Sequence, residues 1–175
     1  MPDVALIPIM PQLERRLADI EPAEAHYDMR IGDIGPLAQE VVREVLRMAP
    51  VTDARFGGYL AADEDTRQVV GTCRFKGEPG PEGVVEIAFF SFPPFEGQGY
   101  ATAMIEALLA IATSVPTVRL VIAHTLPEQS ASTRVLEKAG LRFARVVEDL
   151  EVGSVWRWEL PLVPNPATAT RLWLH

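Results

Sequence analysis

The stretch VVEIAFFSF-PPFEGQG-YATAMIEALLAIAT, residues 84–113, constrains the fold of this chain more than any other. Its first part is β-branched, aromatic and apolar, so it reads as a strand. Pro93 and Pro94 stop that strand, and a turn with Gly97 and Gly99 follows. From Tyr100 the apolar residues Ala101, Met104, Ile105, Leu108, Leu109 and Ala112 recur at i, i+3, i+4 and i+7, which is the stripe of a helix. The first N–H groups of such a helix have no partner within it and point outward with the positive end of its dipole. Glycines there remove side chains that would keep an anion away, so the turn suits a pyrophosphate. An ordinary strand-to-helix loop fits the same residues. Two other phosphate motifs fit poorly. The P-loop lysine is missing, and Thr102 stands where a dinucleotide fingerprint needs its third glycine.

The remaining elements fall in around this unit. Residues 11–27 place Leu13, Leu17 and Ile20 at helical spacing, with Pro22 interrupting that helix or starting another. Residues 36–48 carry Leu37, Val41, Val42, Val45 and Leu46 on one stripe behind Pro36. FGGYLAAD and QVVGTCRF read as strands across the acidic turn DEDTR, and TVRLVIAHT as a buried strand. Residues 130–139 form a helix ended by Lys138 and Gly140. LRFARVVE and SVWRWEL then make a hairpin around EDLEVG, with Glu148 and Glu151 in its loop. The predicted order is helices, three strands, helix, strand, helix and two strands. That is a mixed α/β fold.

A chain of 175 residues fits one domain: 1–162 as the folded unit and 163–175, with its prolines, as a C-terminal extension. No apolar run reaches the ~18 residues of a membrane span, and the start has no basic leader. Cys73 is the single cysteine, so no internal disulfide forms and a reducing cytoplasm is the expected setting. A net charge of −8 argues against nucleic acid as a partner and is compatible with cationic substrates such as amines. His26, His124 and His175 have no metal-site spacing.

Glu96-Gly97-Gln98-Gly99-Tyr100-Ala101 resembles the [QR]-x-x-G-x-[GA] core motif of the GNAT superfamily of acyl-CoA-dependent N-acyltransferases, with Glu96 where Arg or Gln is usual. The block from Gln129 and Ser132 through VLEKAG to Leu141 is similar to the N-x-x-S-x-x-V-L-E-K-x-G-F signature of its Rim-like branch, which includes ribosomal-protein N-terminal acetyltransferases. Gln129 replaces the usual Asn and Leu141 the usual Phe, and Val155-Trp-Arg-Trp158 also resembles that branch.

The resemblance implies a mostly antiparallel sheet that splays between its fourth and fifth strands, here Val84–Ser91 and Val118–Thr125, with acetyl-CoA in the gap. Backbone near Phe90 and Ser91 would pair with the pantetheine, as an added strand does. The turn Gly97, Gln98, Gly99, Tyr100, Ala101 and Thr102 would hold the pyrophosphate. Gln129 and Ser132, opening the following helix, would sit near the pantetheine and thioester. The implied activity is acetyl transfer to a primary amine, a protein N-terminus or a small-molecule amine, by direct attack in a ternary complex. The expected partners are acetyl-CoA and an amine-bearing acceptor, with no metal, membrane or nucleic acid, and the expected state is a monomer or homodimer.

Such a reaction needs a neutral amine, a donor to the oxyanion and a proton for the leaving thiolate. Glu86 is the expected base: it shares a strand face with Val84, Ala88 and Phe90, and apolar surroundings raise a carboxyl pKa. A solvated strand-end glutamate is the plain reading of the same residue. Ser132 could protonate the thiolate or satisfy a helix start. Glu148 and Glu151 are rival bases or a solvated turn. A backbone N–H near Phe90 is the expected oxyanion donor. Leu136 stands where many relatives carry an acidic tyrosine. Cys73 and the Trp156–Trp158 pair read as core. A non-catalytic acyl-CoA-binding or sensing module is the alternative to an enzyme.

Overall fold

The computed structural model describes residues 1–9, 20–47 and 51–163. Its elements run β1 (Val4–Pro8), α1 (Ile20–Tyr27), α2 (Pro36–Leu46), β2 (Gly58–Asp63), β3 (Val69–Phe75), β4 (Val84–Ser91), α3 (Tyr100–Ser114), β5 (Leu120–Thr125), α4 (Ala131–Lys138), β6 (Arg142–Asp149) and β7 (Gly153–Pro161). The strands form one sheet in the order β1-β2-β3-β4-β5-β7-β6. Only the β4–β5 pair is parallel among these neighbours.

Alternation along the strands sends successive residues to opposite faces, and each face is covered by helices. Tyr59 and Ala61 join one core with Ile87, Met104, Leu108, Leu136 and Trp158, beneath α3 and α4. Leu60 and Ala62 join the other, with Ala38, Val42, Leu46 and Phe92, beneath α1 and α2. Burying each large side chain contributes roughly 1.5–3 kcal/mol against the entropy of ordering the chain.

The helix expected over 11–27 lies partly outside the described residues, and α1 carries its later part, with Pro22 in the first turn where proline is tolerated. The tail from 164 onward is likewise outside them. One strand escapes the sequence pattern: β1, paired with β2 from Val4↔Asp63 to Pro8↔Tyr59, where a helical start was expected. Glu148 belongs to β6 and not to the hairpin loop, because pairing continues to Asp149↔Gly153.

The sheet opens at its centre. Along β4, pairing with β3 continues to Gly71↔Ser91, but pairing with β5 covers only Val84↔Leu120, Val85↔Val121 and Glu86↔Ile122. From Ile87 to Ser91 the edge of β4 turned toward β5 has no strand beside it among the described residues.

Candidate functional site

A cleft of about 610 Å³ lies along that open edge, between β4, the N-terminus of α3 and one face of α4. Phe90, Ser91, Gly97, Gly99, Tyr100, Ala101, Thr102 and Ser132 all line it, so the structure brings together most of the residues singled out for a ligand. Gln98 turns away and donates from Nε2 to the Pro94 carbonyl at 3.0 Å. Gln129 also stays outside the lining, its Oε1 accepting from the Thr133 hydroxyl at 3.3 Å.

The turn into α3 has the backbone its sequence requires. Gly97 and Gly99 have φ of 72° and 91°, a region L side chains avoid. A Cβ on Gly97 would meet nothing within 4 Å, whereas one on Gly99 would stand 3.1 Å from Pro2 Cδ. The first backbone pairing at this end is Ala103 N–H to the Gly99 carbonyl, and no side chain caps it. The N–H groups of Tyr100, Ala101 and Thr102 therefore have no carbonyl within the helix to bond. Tyr100 is anchored behind them, donating from its hydroxyl to Asp63 Oδ2 at 2.8 Å. Asp63, the first residue of the acidic turn DEDTR, thereby ties the end of β2 to this loop.

Ser91 carries the clearest mark of a missing partner. Its Oγ is buried without a hydrogen-bond partner among the described residues, although buried hydroxyls are normally bonded. It borders the cleft on the unpaired stretch of β4. A ligand laid along that edge would meet both the free backbone groups and this hydroxyl. The opposite wall comes from α4, where Ala131, Arg134, Val135 and Lys138 line the cleft at helical spacing. The sequence reading missed Arg134 and Lys138, yet positions 131, 134, 135 and 138 share one helix face. Two cations beside N–H groups with no partner in the helix are what an anion entering the cleft would meet.

In α4 itself Ser130, not Ser132, does the capping: its hydroxyl accepts from Thr133 N–H while Thr133 Oγ1 accepts from Ser130 N–H, a reciprocal box. Ser132 is thus exposed in the cleft wall and not committed to the helix start. Leu141 N–H reaches the Leu136 carbonyl and Gly140 N–H the Glu137 carbonyl, a Schellman ending that buries Leu136 and Leu141 in the core.

Glu86 ends the paired part of β4, on the face away from the α3 core, and does not line the cleft. Its Oε1 accepts from Lys76 Nζ at 2.7 Å and from His124 Nδ1 at 2.9 Å. This corrects the expected electrostatics. Burial alone would raise the carboxyl pKa, but the hydrogen bonds and charges of His124 and Lys76 outweigh it, so the pKa is lowered from 4.5. Glu86 is an ionised carboxylate between two donors. Of the rival acids, Glu148 accepts from the Ser154 hydroxyl, and Glu151 is exposed with its N–H bonded to Asp149. Burial pushes the Cys73 thiol well above its usual range, in keeping with a core residue. Trp158 is buried with its indole N–H on Thr125, and Trp156 packs against the same core. Among the described residues no group of three His, Cys, Asp or Glu side chains could hold a metal ion, and no helix is long and apolar enough to cross a membrane.

Residues 15–142 match the family described as "Acetyltransferase (GNAT) domain". The chain belongs to the GNAT family. Its splayed β4–β5 pair and glycine turn are the features which the sequence resemblance anticipated. The GNAT chain is 28% identical over 85 residues to the uncharacterized N-acetyltransferase YjdG of Bacillus subtilis (strain 168), a match covering 49% of this chain and 51% of that protein. It thus spans about half the length of that curated relative. The microcin C7 self-immunity acetyltransferase MccE, solved with acetyl-CoA and AMP, superposes with a TM-score of 0.63 at 10% identity, covering 91% of this chain and 93% of that one. RimL, a ribosomal L7/L12 alpha-N-protein acetyltransferase, gives a TM-score of 0.52 at 15% identity over 60% of this chain and 70% of that one. Likeness at these identities is a likeness of fold.

Proposed function

We propose that this GNAT chain transfers an acetyl group from acetyl-CoA to a primary amine, a protein N-terminus or a small-molecule amine, by direct attack in a ternary complex. The observation that carries this reading is the convergence, on one cleft, of an open strand edge, a Ser91 hydroxyl without a partner among the described residues, and the outward N–H groups at the start of α3. An elongated ligand with amides at one end and phosphates at the other matches that order. Backbone near Phe90 and Ser91 would hold the pantetheine. The turn from Gly97 to Thr102 would hold the pyrophosphate, with Gln98 contributing its backbone and Arg134 and Lys138 adding charge. Gln129 is assigned near the pantetheine and thioester. Ser132, a hydroxyl of α4 that lines the cleft, is assigned to the leaving thiolate.

When bound, acetyl-CoA supplies an activated acyl carbon for the amine. The protein's share is to hold it straight, keep a donor near the oxyanion and remove a proton from the ammonium. Glu86 belongs to that last task as an ionised carboxylate at the point where the strands part. Residues 1–162 act as one catalytic domain, with 163–175 as an extension. The single unpaired cysteine supports a cytoplasmic setting, with the protein acting as a monomer or homodimer.

The test is release of free thiol from acetyl-CoA in the presence of monoamines, polyamines and peptides with free N-termini. Amine-dependent release, with the acetylated amine found by mass spectrometry, is expected. Tight acetyl-CoA binding without transfer to any of these amines would favour a non-catalytic acyl-CoA-binding or sensing module.

A further inference from the structure

Beside the Glu86 carboxylate, the open end of the sheet holds an imidazole. His124 lies on β5 just past the last paired position, Glu86↔Ile122, so it sits where the two strands separate. Alternation puts it on the same face as Ile122 and Glu86, away from the α3 core that takes Val121 and Ala123. Its Nδ1 is 2.9 Å from Glu86 Oε1, and Lys76 Nζ is 2.7 Å from the same oxygen. A carboxylate only accepts hydrogen bonds, so Nδ1 carries the hydrogen, and whenever such a ring is neutral its lone pair is on Nε2. Among the described residues Nε2 has no partner. A base held by a carboxylate through its other nitrogen is the arrangement that fixes a tautomer and steadies the imidazolium once it forms.

We propose that His124 Nε2, oriented by Glu86, is the base that takes the proton from the acceptor ammonium, and that Lys76 keeps Glu86 ionised for that purpose. This deepens the acetyltransferase reading and rests on it. Glu86 becomes a positioning residue. The transfer balances as follows. The ammonium gives one proton to Nε2 and becomes a neutral amine. The amine nitrogen then bonds to the acetyl carbon as the carbon–sulfur bond breaks. A second amine proton ends on the departing thiolate, and the imidazolium returns its proton to water. Net consumption is one ammonium and one acetyl thioester; the products are an amide, a thiol and a proton.

Other charged groups face this pair. Asp149, on β6, lies close enough to feel both Lys76 and His124. Arg157 is the cross-strand partner of His124 and bonds Glu159 at 2.7 Å, with Arg145 at 3.7 Å from the same carboxylate. The arginines pair with Glu159, and Asp149 accepts from the Glu151 and Val152 N–H groups, so Glu86 is the carboxylate in hydrogen-bond contact with the ring.

The experiment measures kcat/KM against pH for the full chain and for His124→Ala and Glu86→Gln, with acetyl-CoA affinity and thermal melting measured on each. His124→Ala should lose activity by about a hundredfold or more, keep its acetyl-CoA affinity, and recover in part when free imidazole is added. Glu86→Gln should lose less, and its pH profile should differ from the parent's, because the amide cannot hold the ring as the carboxylate does. A His124→Ala chain with unchanged kcat/KM and an unchanged acidic limb overturns this inference alone. So does complete loss in Glu86→Gln beside near-normal activity in His124→Ala, which makes Glu86 the base itself. No transfer by the unaltered chain to any amine overturns the acetyltransferase reading, and the inference with it.

Discussion

At the scale of single residues, Ser91 gives the account a sharp handle. A buried hydroxyl without a partner costs about 1–3 kcal/mol of desolvation, while a hydrogen bond made to it by a ligand returns roughly 0.5–1.5 kcal/mol. Ser91→Ala removes the orphaned group. It should melt at the same temperature as the unaltered protein or higher, yet bind acetyl-CoA about fivefold more weakly. Equal affinity would mean that the hydroxyl has no part in holding the ligand. Tyr100→Phe is a complementary change. It deletes the bond to Asp63 at 2.8 Å, with an expected cost near 1 kcal/mol in urea unfolding, and loosens the turn that presents the N–H groups.

At the scale of elements, α4 does two jobs. One face packs Leu136 into the core, and the other offers Arg134 and Lys138 to the cleft. Replacing both cations by Ala should weaken acetyl-CoA binding about tenfold at low salt. The gap between variant and parent should narrow as salt is raised, since exposed charges are screened. A salt-independent difference would point to lost packing instead. The elements also show what a sequence can reveal. The strand, turn and α3 were legible because their signals are local: β-rich residues, prolines and glycines, then a helical stripe. The end of α4 was legible for the same reason. β1 was not, because VALIP is a short edge strand flanked by prolines and is defined by its pairing with β2 and not by a pattern of its own. The glycine turn of the site could be read directly. The link among Lys76, Glu86 and His124 could not, because it joins residues brought together only by strand register. Alternation placed Glu86 on the right face but gave no sign of the two donors that reverse its expected pKa shift.

At the scale of the whole molecule, several carboxylates link stability to acid. Glu86 is lowered from 4.5, against the effect of burial, by His124 and Lys76. Asp63 is lowered from 3.8 by its bonds from the Thr66 N–H and the Tyr100 and Thr66 hydroxyls. A group with a depressed folded pKa binds fewer protons folded than unfolded, so stability rises with pH through that window. The contribution is full above the ordinary carboxyl values and is lost as pH falls through the folded ones. Urea unfolding should therefore give a flat stability from pH 7 to about pH 5 and a decline below it. Glu86→Gln should reduce the steepness of that decline. An equal slope in the variant would mean that Glu86 is not ion-paired in solution.

The account stands on the cleft between β4 and α4 being an acyl-CoA site, and calorimetric titration of the full chain with acetyl-CoA addresses it most directly. One-site binding near micromolar, about 8 kcal/mol, weakened by Arg134→Ala with Lys138→Ala, is the predicted result. No binding up to millimolar acetyl-CoA would contradict it.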